Sequence, residues 1–137
     1  MKKHFILLMF MACLFTSGTF AKSPTSNSGS QTSIGMVIYS NDSETVWNAL
    51  RLANYSKNQG DTVKIFLLGK GVELDNMVKT NTDLKGQADE FLKNGGSILG
   101  CGTCLSNRNN NAPQVCTFSS LADLYELIRK NKIVLTF

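Results

Sequence analysis

Histidine is almost absent from this chain, whose 137 residues include only His4. Tryptophan occurs once, proline occurs twice, and the 14 lysines and arginines are scattered rather than gathered in a run. A lone histidine at the extreme N-terminus provides no base for Ser-His-Asp or Cys-His catalysis and no histidine ligand for zinc in the rest of the chain. The lack of a basic patch excludes nucleic acid as an expected partner. The chemistry must therefore rest on cysteine, carboxylates, lysine, arginine or backbone dipoles.

The N-terminus has the layout of a secretory signal peptide. A lysine pair precedes an apolar run at residues 5–15, and Thr19 and Ala21 suit the small-residue positions of a cleavage site. Two alternatives are an uncleaved membrane anchor, for which the apolar run is short, and lipidation at Cys13. Residues 1–21 are therefore predicted to be a signal, and the mature protein is expected to be periplasmic or secreted, with no membrane attachment after cleavage.

The remaining chain is long enough for one domain. Residues 22–33 are rich in Ser, Thr and Gly and contain no large apolar side chain, so they are expected to form a disordered linker. Apolar runs of strand length then alternate with segments of helical periodicity. The sequence predicts an α/β domain at residues 34–137, a three-layer α/β/α sandwich with a mainly parallel sheet of about five strands. The expected strands are residues 34–39, 63–68, 97–100, 114–118 and 133–137.

Two of the predicted helices carry specific expectations. Asn41 is expected to cap the first helix, with Glu44 in the capping-box position. The last helix is expected to begin at Ser120 with an acid at its third position. Its buried stripe is predicted to be formed by four residues at helical spacing, Leu121, Leu124, Tyr125 and Ile128.

The stretch with the strongest chemical signal is residues 100–108, where Cys101 and Cys104 are separated by two small residues directly after the third strand. Glycines at positions 100 and 102 allow a sharp turn that leaves a sulfur uncovered. If a helix begins at Gly102, its N-terminal dipole favours a thiolate at Cys101. The sequence therefore predicts a reactive sulfur at Cys101.

Neighbours for this sulfur are expected at the carboxyl ends of the strands, where parallel sheets gather their ligands. Asn41 and Asp42 follow the first strand and Lys70 follows the second. A lysine close to Cys101 would favour its thiolate, whereas Asp42 would oppose it.

Several interpretations of the cysteines remain open from the residues alone. They are inert packing or a structural disulfide, a thioredoxin-like redox pair formed by Cys101 and Cys104, and a single cysteine that carries sulfur as a persulfide. A metal site is incomplete, since Cys116 would add only a third thiolate and no histidine is available. No metal and no cofactor is therefore expected.

From Ile34 to Phe137 the sequence resembles the DsrE/DsrF-like family of sulfur-relay proteins, which includes the TusD subunit. The features that carry the resemblance are the run from Gly96 to Cys101, the segment at residues 119–124 and the final apolar strand. The resemblance implies that Cys101 is the persulfide-carrying position and that Arg108 holds a basic binding position of the family. The placement of the two cysteines between a strand and a helix adds the expectation that Cys104 resolves the persulfide or protects it as a disulfide.

The same resemblance implies a partner that is a sulfur donor or acceptor protein, or a small sulfur compound, and a homo-oligomer such as a trimer or hexamer. Two features depart from the family pattern. Residues 109–111 are all asparagine where members usually have glycine. Relay members that are known work in the cytoplasm, whereas this chain carries an export signal by sequence. A non-catalytic oligomeric module with a structural disulfide remains the alternative function.

Overall fold

Strands and helices alternate along the part of the chain that the computed structural model describes, residues 30–137. The predicted signal and most of the predicted linker lie outside these residues. The elements are β1 (Ser33–Ile38), α1 (Ser43–Asn58), β2 (Thr62–Leu67), a 3-10 turn (Gly69–Glu73), α2 (Leu74–Met77), α3 (Thr82–Lys93), β3 (Ser97–Cys101), α4 (Gly102–Ser106), β4 (Thr117–Ser119), α5 (Leu121–Lys130) and β5 (Ile133–Thr136).

The five strands form one sheet in the order β4-β3-β2-β1-β5, and every neighbouring pair is parallel. Parallel neighbours need crossover connections, and the helices supply them. Helices lie on both faces, so the predicted three-layer α/β/α sandwich with a parallel sheet is confirmed. The carboxyl ends of all five strands meet at one edge of this sheet, which is where the cysteine stretch lies.

The two faces of the sheet are covered to different extents. Alternate residues of β1 and β2, such as Met36 and Ile65, pack with α1 and α3 in the large core, and we call this side the closed face. Helix α5 packs on the opposite side in a much smaller core that contains Val37 and Phe66, and we call this side the open face. The closed face therefore provides most of the buried apolar area that stabilises the fold.

Helix α5 approaches the open face closely because β1 has a glycine beneath it. A Cβ at Gly35 would lie 2.4 Å from the Cδ2 atom of Leu127, a distance at which the atoms would overlap. The helix begins with the expected Ser120, whose side chain and the Asp123 carboxylate form a reciprocal capping box. Leu124 and Leu127 are the α5 side chains that are buried.

The predicted buried stripe of α5 is therefore wrong for three of its four members. Leu124 is buried as expected, but Leu121, Tyr125 and Ile128 are 79%, 60% and 48% exposed. The reason is that α5 contacts the sheet along a narrow line through Leu124 and Leu127. The apolar side chains next to that line consequently project into solvent.

Two further expectations need correction near the strand ends. Helix α1 is capped by Asp42 rather than Asn41, because the Asp42 carboxylate accepts a hydrogen bond from the Thr45 N–H at 2.8 Å. The strand expected at residues 114–118 is β4, which begins only at Thr117. It begins late because the backbone N–H groups of Gln114 and Val115 donate to Asp75 and are not free to join the sheet.

Candidate functional site

Cys101 lies where β3 ends and α4 begins. It is the last residue of the strand and the N-cap of the helix, and its Sγ accepts a hydrogen bond from the Cys104 N–H at 3.3 Å. Its side chain is partly buried and packs against the cores of both faces. The short turn through Gly102 thus holds the sulfur at the carboxyl edge of the sheet, as the sequence predicts.

Cys104 extends the site to the neighbouring strand. Its Sγ accepts a hydrogen bond from the Gly69 N–H at 3.3 Å, and Gly69 opens the turn that follows β2. Both cysteines are free thiols. The two sulfurs therefore lie together across the ends of β2 and β3, and each accepts a hydrogen bond from a backbone N–H.

The charge state expected for Cys101 differs from what its surroundings favour. Burial raises the pKa of the Cys101 thiol, and a hydrogen bond with the Cys104 side chain raises that pKa further. Hydrogen bonds from the backbone N–H groups of Cys104 and Thr103 lower this pKa, but their effect is smaller than the combined effect that raises it. Helix α4 has only 5 residues, so its dipole is small. These surroundings therefore favour the thiol of Cys101, in contrast to the thiolate that a helix dipole alone would favour.

A polar bridge lies beside the cysteines and is centred on Glu73, which the sequence analysis missed. Glu73 Oε1 pairs with Arg108 Nε at 3.0 Å, and Glu73 Oε2 accepts from Asn41 Nδ2 at 2.7 Å. Arg108 Nη1 also donates to the Cys104 carbonyl at 3.2 Å. The hydrogen bond from Asn41 and then the one from Arg108 lower the pKa of Glu73. This bridge links the start of α1, the turn after β2 and the end of α4.

Of the four predicted binding residues, two belong to this bridge and two do not. The bridge brings Asn41 and Arg108 together through Glu73. Lys70 is exposed on the adjacent turn, and its charge also helps to lower the pKa of Glu73. Asp42 is engaged by its own helix, where hydrogen bonds from Thr45 lower the pKa of its carboxyl. One sequence signal for Glu73 was available, since it lies in the loop after β2 together with Lys70.

Cys116 is buried on the closed face, away from this arrangement of hydrogen bonds. A Cβ at Gly100 would lie 2.7 Å from the Cys116 Sγ and 2.9 Å from Leu105 Cδ1, so these side chains fill the space that the glycine leaves. Burial, with a smaller effect from the Asp75 charge, raises the pKa of Cys116 to about 11. The third cysteine therefore behaves as a packing residue.

The asparagine-rich loop after α4 is held by a buried carboxylate that the sequence analysis also missed. Asp75 accepts from the Val115 N–H at 2.9 Å and from Asn110 Nδ2 at 3.0 Å, and it also accepts from the Gln114 N–H. A buried carboxylate is tolerated when several donors compensate its desolvation. Asp75 thereby anchors the connection between the cysteine stretch and β4.

A cavity of about 210 Å³ opens beside Cys101 on the open face. Apolar side chains of β2, the segment that follows it and α5 line this cavity together with residues that carry hydroxyl groups. The lining residues other than Cys101 and Gly102 are the apolar Phe66, Leu68, Leu121 and Leu124 and the hydroxyl-bearing Thr103, Ser119 and Ser120.

Residues 30–137 contain neither a metal-binding cluster nor a membrane-spanning helix. No group of three or more His, Cys, Asp or Glu side chains within this range is arranged to hold a metal ion. Within the same range, no helix has the length and apolar character needed to cross a membrane.

A model of the DsrE/DsrF-like family matches residues 33–137, which is most of the chain. The chain belongs to the DsrE/DsrF-like family. This membership confirms the resemblance seen in the sequence and supports a sulfur-relay type of role in general terms. Among curated proteins, no sequence matches the chain.

Two solved structures share the fold of this DsrE/DsrF-like protein. The ychN protein from E. coli superposes with a TM-score of 0.68 at 19% sequence identity, covering 78% of this chain and 99% of that one. A conserved protein of unknown function from Bacteroides thetaiotaomicron gives a TM-score of 0.66 at 22% identity, covering 77% of this chain and 95% of its own. At these identities the similarity shows the fold alone.

Proposed function

We propose that this protein carries sulfane sulfur as a persulfide on Cys101 and passes it to an acceptor. The observation that supports the proposal is the position of Cys101 at the end of β3 in a DsrE/DsrF-like domain, with its sulfur lining a cavity. The Cys101 thiolate would attack the donor's sulfane sulfur, the donor's sulfur–sulfur bond would break, and the electron pair would leave with the donor's remaining fragment. The partner is a sulfur donor or acceptor protein, or a small sulfur compound.

Cys104 supplies a second step at the same site. Its thiolate attacks the Cys101 sulfur of the persulfide, the bond to the outer sulfur breaks, and hydrosulfide leaves as the two cysteines form a disulfide. The hydrogen bond from the Cys104 N–H to the Cys101 Sγ at 3.3 Å supports this role, since it holds the two cysteines next to each other. The same disulfide would protect Cys101 from further oxidation until a reductant restores the thiols.

Intact-mass measurement tests the proposal directly. The purified domain incubated with a sulfane donor is expected to gain the mass of one or more sulfur atoms, and Cys101→Ser is expected to gain none. Cys116→Ala is the matched control, because it removes a buried thiol that should not react. An unmodified wild-type protein, or equal loading of Cys101→Ser, would contradict the proposal.

The location of this chemistry is a proposal of its own. The sequence of residues 1–21 supports export to the periplasm or beyond. Expression of the full chain in a bacterium should yield a periplasmic protein whose mass begins at Lys22. A variant with Arg at three positions of the apolar run at residues 5–15 is the control, and it should remain in the cytoplasm. Retention of the unaltered chain in the cytoplasm would count against export.

The outer side of α5 supports self-association. Leu121, Tyr125 and Ile128 expose apolar surface on neighbouring turns, and exposed apolar patches often mark contacts between subunits. We therefore propose that the protein forms a homo-oligomer through this surface. Sedimentation should show a trimer or hexamer that dissociates in the Tyr125→Ser, Ile128→Ser double variant. If the unaltered protein sediments as a monomer, the proposed self-association is wrong.

A second candidate function is thiol–disulfide exchange by Cys101 and Cys104. The two free cysteines favour it, since they are three residues apart and joined by the hydrogen bond from the Cys104 N–H to the Cys101 Sγ. The two candidates differ in their dependence on Cys104, because sulfur loading needs only Cys101 whereas exchange needs both cysteines. If Cys104→Ser still loads sulfur but fails to reduce a test disulfide, sulfur carriage is supported over exchange.

A further inference from the structure

The cavity beside Cys101 has an unusual charge environment for a site that would receive small sulfur compounds. Sulfur donors such as thiosulfate and tetrathionate are anions, and proteins bind small anions with Arg, Lys or free backbone N–H groups. None of the residues that line this cavity is charged. Its walls are the side chains of Phe66, Leu68, Leu121 and Leu124.

One cation of the described site, Arg108, is already engaged. The Arg108 guanidinium pairs with Glu73 and donates to the Cys104 carbonyl, and it does not line the cavity. Binding of an anion by this arginine would require it to leave the carboxylate that holds it. Arg108 therefore contributes little attraction for an anion inside the cavity.

The start of α5 would normally attract an anion, since helix N-termini carry exposed N–H groups and a partial positive charge. Here Ser120 borders the cavity, and its N–H donates to the Asp123 carboxylate at 2.7 Å. The Asp123 N–H is in turn occupied by the Ser120 hydroxyl. The helix thus supplies its own negative charge at this position, and a second anion would be repelled.

We propose that the donor received at Cys101 is uncharged zero-valent sulfur, the ring of elemental sulfur, rather than an anionic sulfur compound. This inference rests on the proposed function of Cys101 as a sulfur carrier. An apolar ring gains from burial against the leucine and phenylalanine walls and leaves no ionic group unpaired. An anion in the same place would lose much of its hydration without gaining a cationic side chain as a partner.

The reaction balances without any further reagent. Cys101 loses its proton to solvent, and its sulfur forms a bond to one sulfur atom of the ring. The adjacent sulfur–sulfur bond of the ring breaks, and its electron pair moves to the far end of the opened chain. The product is a polysulfide on Cys101 that ends in a negatively charged sulfur. Cys104 can then release this chain by forming the disulfide with Cys101.

The experiment compares donors on the full-length mature protein by intact mass. Equal amounts of sulfur atoms are supplied as elemental sulfur dispersed from an organic solvent, as thiosulfate and as tetrathionate. Loading of Cys101 by elemental sulfur should be about tenfold faster or more, because an unpaired anion in an apolar cavity is strongly disfavoured. Faster or equal loading by either anion would overturn the inference while leaving the proposed function intact. Absence of loading by every donor would overturn both.

A charge introduced at the cavity wall sharpens the test. Leu121 is 79% exposed, so Leu121→Lys should fold normally while placing a cation at the cavity. This variant should load more slowly from elemental sulfur and faster from the two anions. Tyr125→Lys is the matched control, because it adds the same charge to α5 and to the same surface proposed for self-association, at a position that does not line the cavity. An identical effect of the two substitutions would contradict a role for the cavity.

Discussion

The closed and open faces of the sheet carry similar apolar residues, but helices cover the two faces to different extents. On the closed face, α1 and α3 cover the strands, and residues such as Leu50 and Phe91 have no solvent contact. On the open face, α5 alone contributes the buried pair Leu124 and Leu127, and its other apolar side chains remain exposed. One face stabilises the domain, whereas the other leaves accessible the surface on which the cavity and Cys101 lie.

Two cysteines show the same contrast. Cys116 is buried on the closed face, and its pKa is raised to about 11. Cys101 lies at the strand end, lines the cavity beside α5, and has a pKa raised first by its partial burial. The two thiols therefore differ in how far the fold covers them, and Cys101 is the more accessible one.

The largest expected effect is on the closed face. Phe91→Ala should lower the free energy of unfolding by about 3–5 kcal/mol, since it removes a fully buried ring from the large core. Leu124→Ala on the open face should cost about 2 kcal/mol, at the low end for a buried leucine, because its small core can relax toward solvent. Chemical denaturation of both variants measures the difference. Equal losses would mean that the two faces contribute similarly to stability.

The next effect concerns pH and Cys116. Because the folded protein holds this thiol protonated, the unfolded chain loses its proton first as pH rises, and stability is lost between the unfolded pKa near 9 and about 11. The loss specific to Cys116 should be roughly 2–3 kcal/mol. Below pH 8 this contribution is fully present.

Cys116→Ala is the variant that isolates this effect. The difference in unfolding free energy between wild type and variant should shrink as pH rises from 8 to 11, because the variant has no thiol to titrate. Cys101→Ser should shift the same curve less, since Cys101 is only partly buried. A difference that stays constant with pH would show that Cys116 is not held protonated by the fold.

A smaller effect is expected at the glycines that flank Cys101. Gly100→Ala should cost about 1–3 kcal/mol, because its new methyl group meets Cys116 and Leu105 on the closed face at less than 3 Å. Gly102→Ala should cost less than Gly100→Ala, since its nearest contact is Phe118 Cδ1 at 3.3 Å. Thermal unfolding checks the order. Cys116→Ala should partly rescue Gly100→Ala, and a failure to rescue would place the clash elsewhere.

The smallest effect is expected at the polar bridge. Glu73→Gln removes the charge that Arg108 pairs with, but the side chains in this pair are about one-third exposed. Exposed pairs contribute on the order of 0–1 kcal/mol, so stability should barely change. The variant should instead free Arg108, and loading of Cys101 from thiosulfate should rise modestly. Glu44→Gln, an exposed change on α1, is the control that should alter neither quantity.

The arrangement of strands and helices was predictable because each segment carries a strong local signal. The apolar runs placed four strands of the sheet to within one residue, and they located β4 only in part. Gly60 follows α1 with a positive φ of 94°, a conformation that often ends a helix. The position of Cys101 at the end of β3 followed from the same pattern. These features depend on residues that are close together in the sequence, so they can be recognised before the fold is known.

The details that were missed depend on contacts between distant residues. Glu73 and Asp75 have no distinguishing local pattern, yet they bind residues 35 or more positions away, such as Arg108 and Val115. The predicted buried stripe of α5 was wrong because apolar residues at helical spacing occur on more than one face of this helix. Only the packing of α5 against Gly35 determines that Leu124 and Leu127 are the buried side chains. The raised pKa of Cys101 likewise depends first on how deeply the folded chain buries the thiol.

The hydrogen bond from the Gly69 N–H to Cys104 has a practical consequence. This amide proton points at a sulfur whose charge and bonding change whenever the two cysteines are oxidised or Cys104 is ionised. Its nuclear magnetic resonance signal should therefore move between the dithiol, the disulfide and the sulfur-loaded protein. The chemical shift of this one glycine amide therefore reports the chemical state of the two cysteines, and no label on the sulfur is needed.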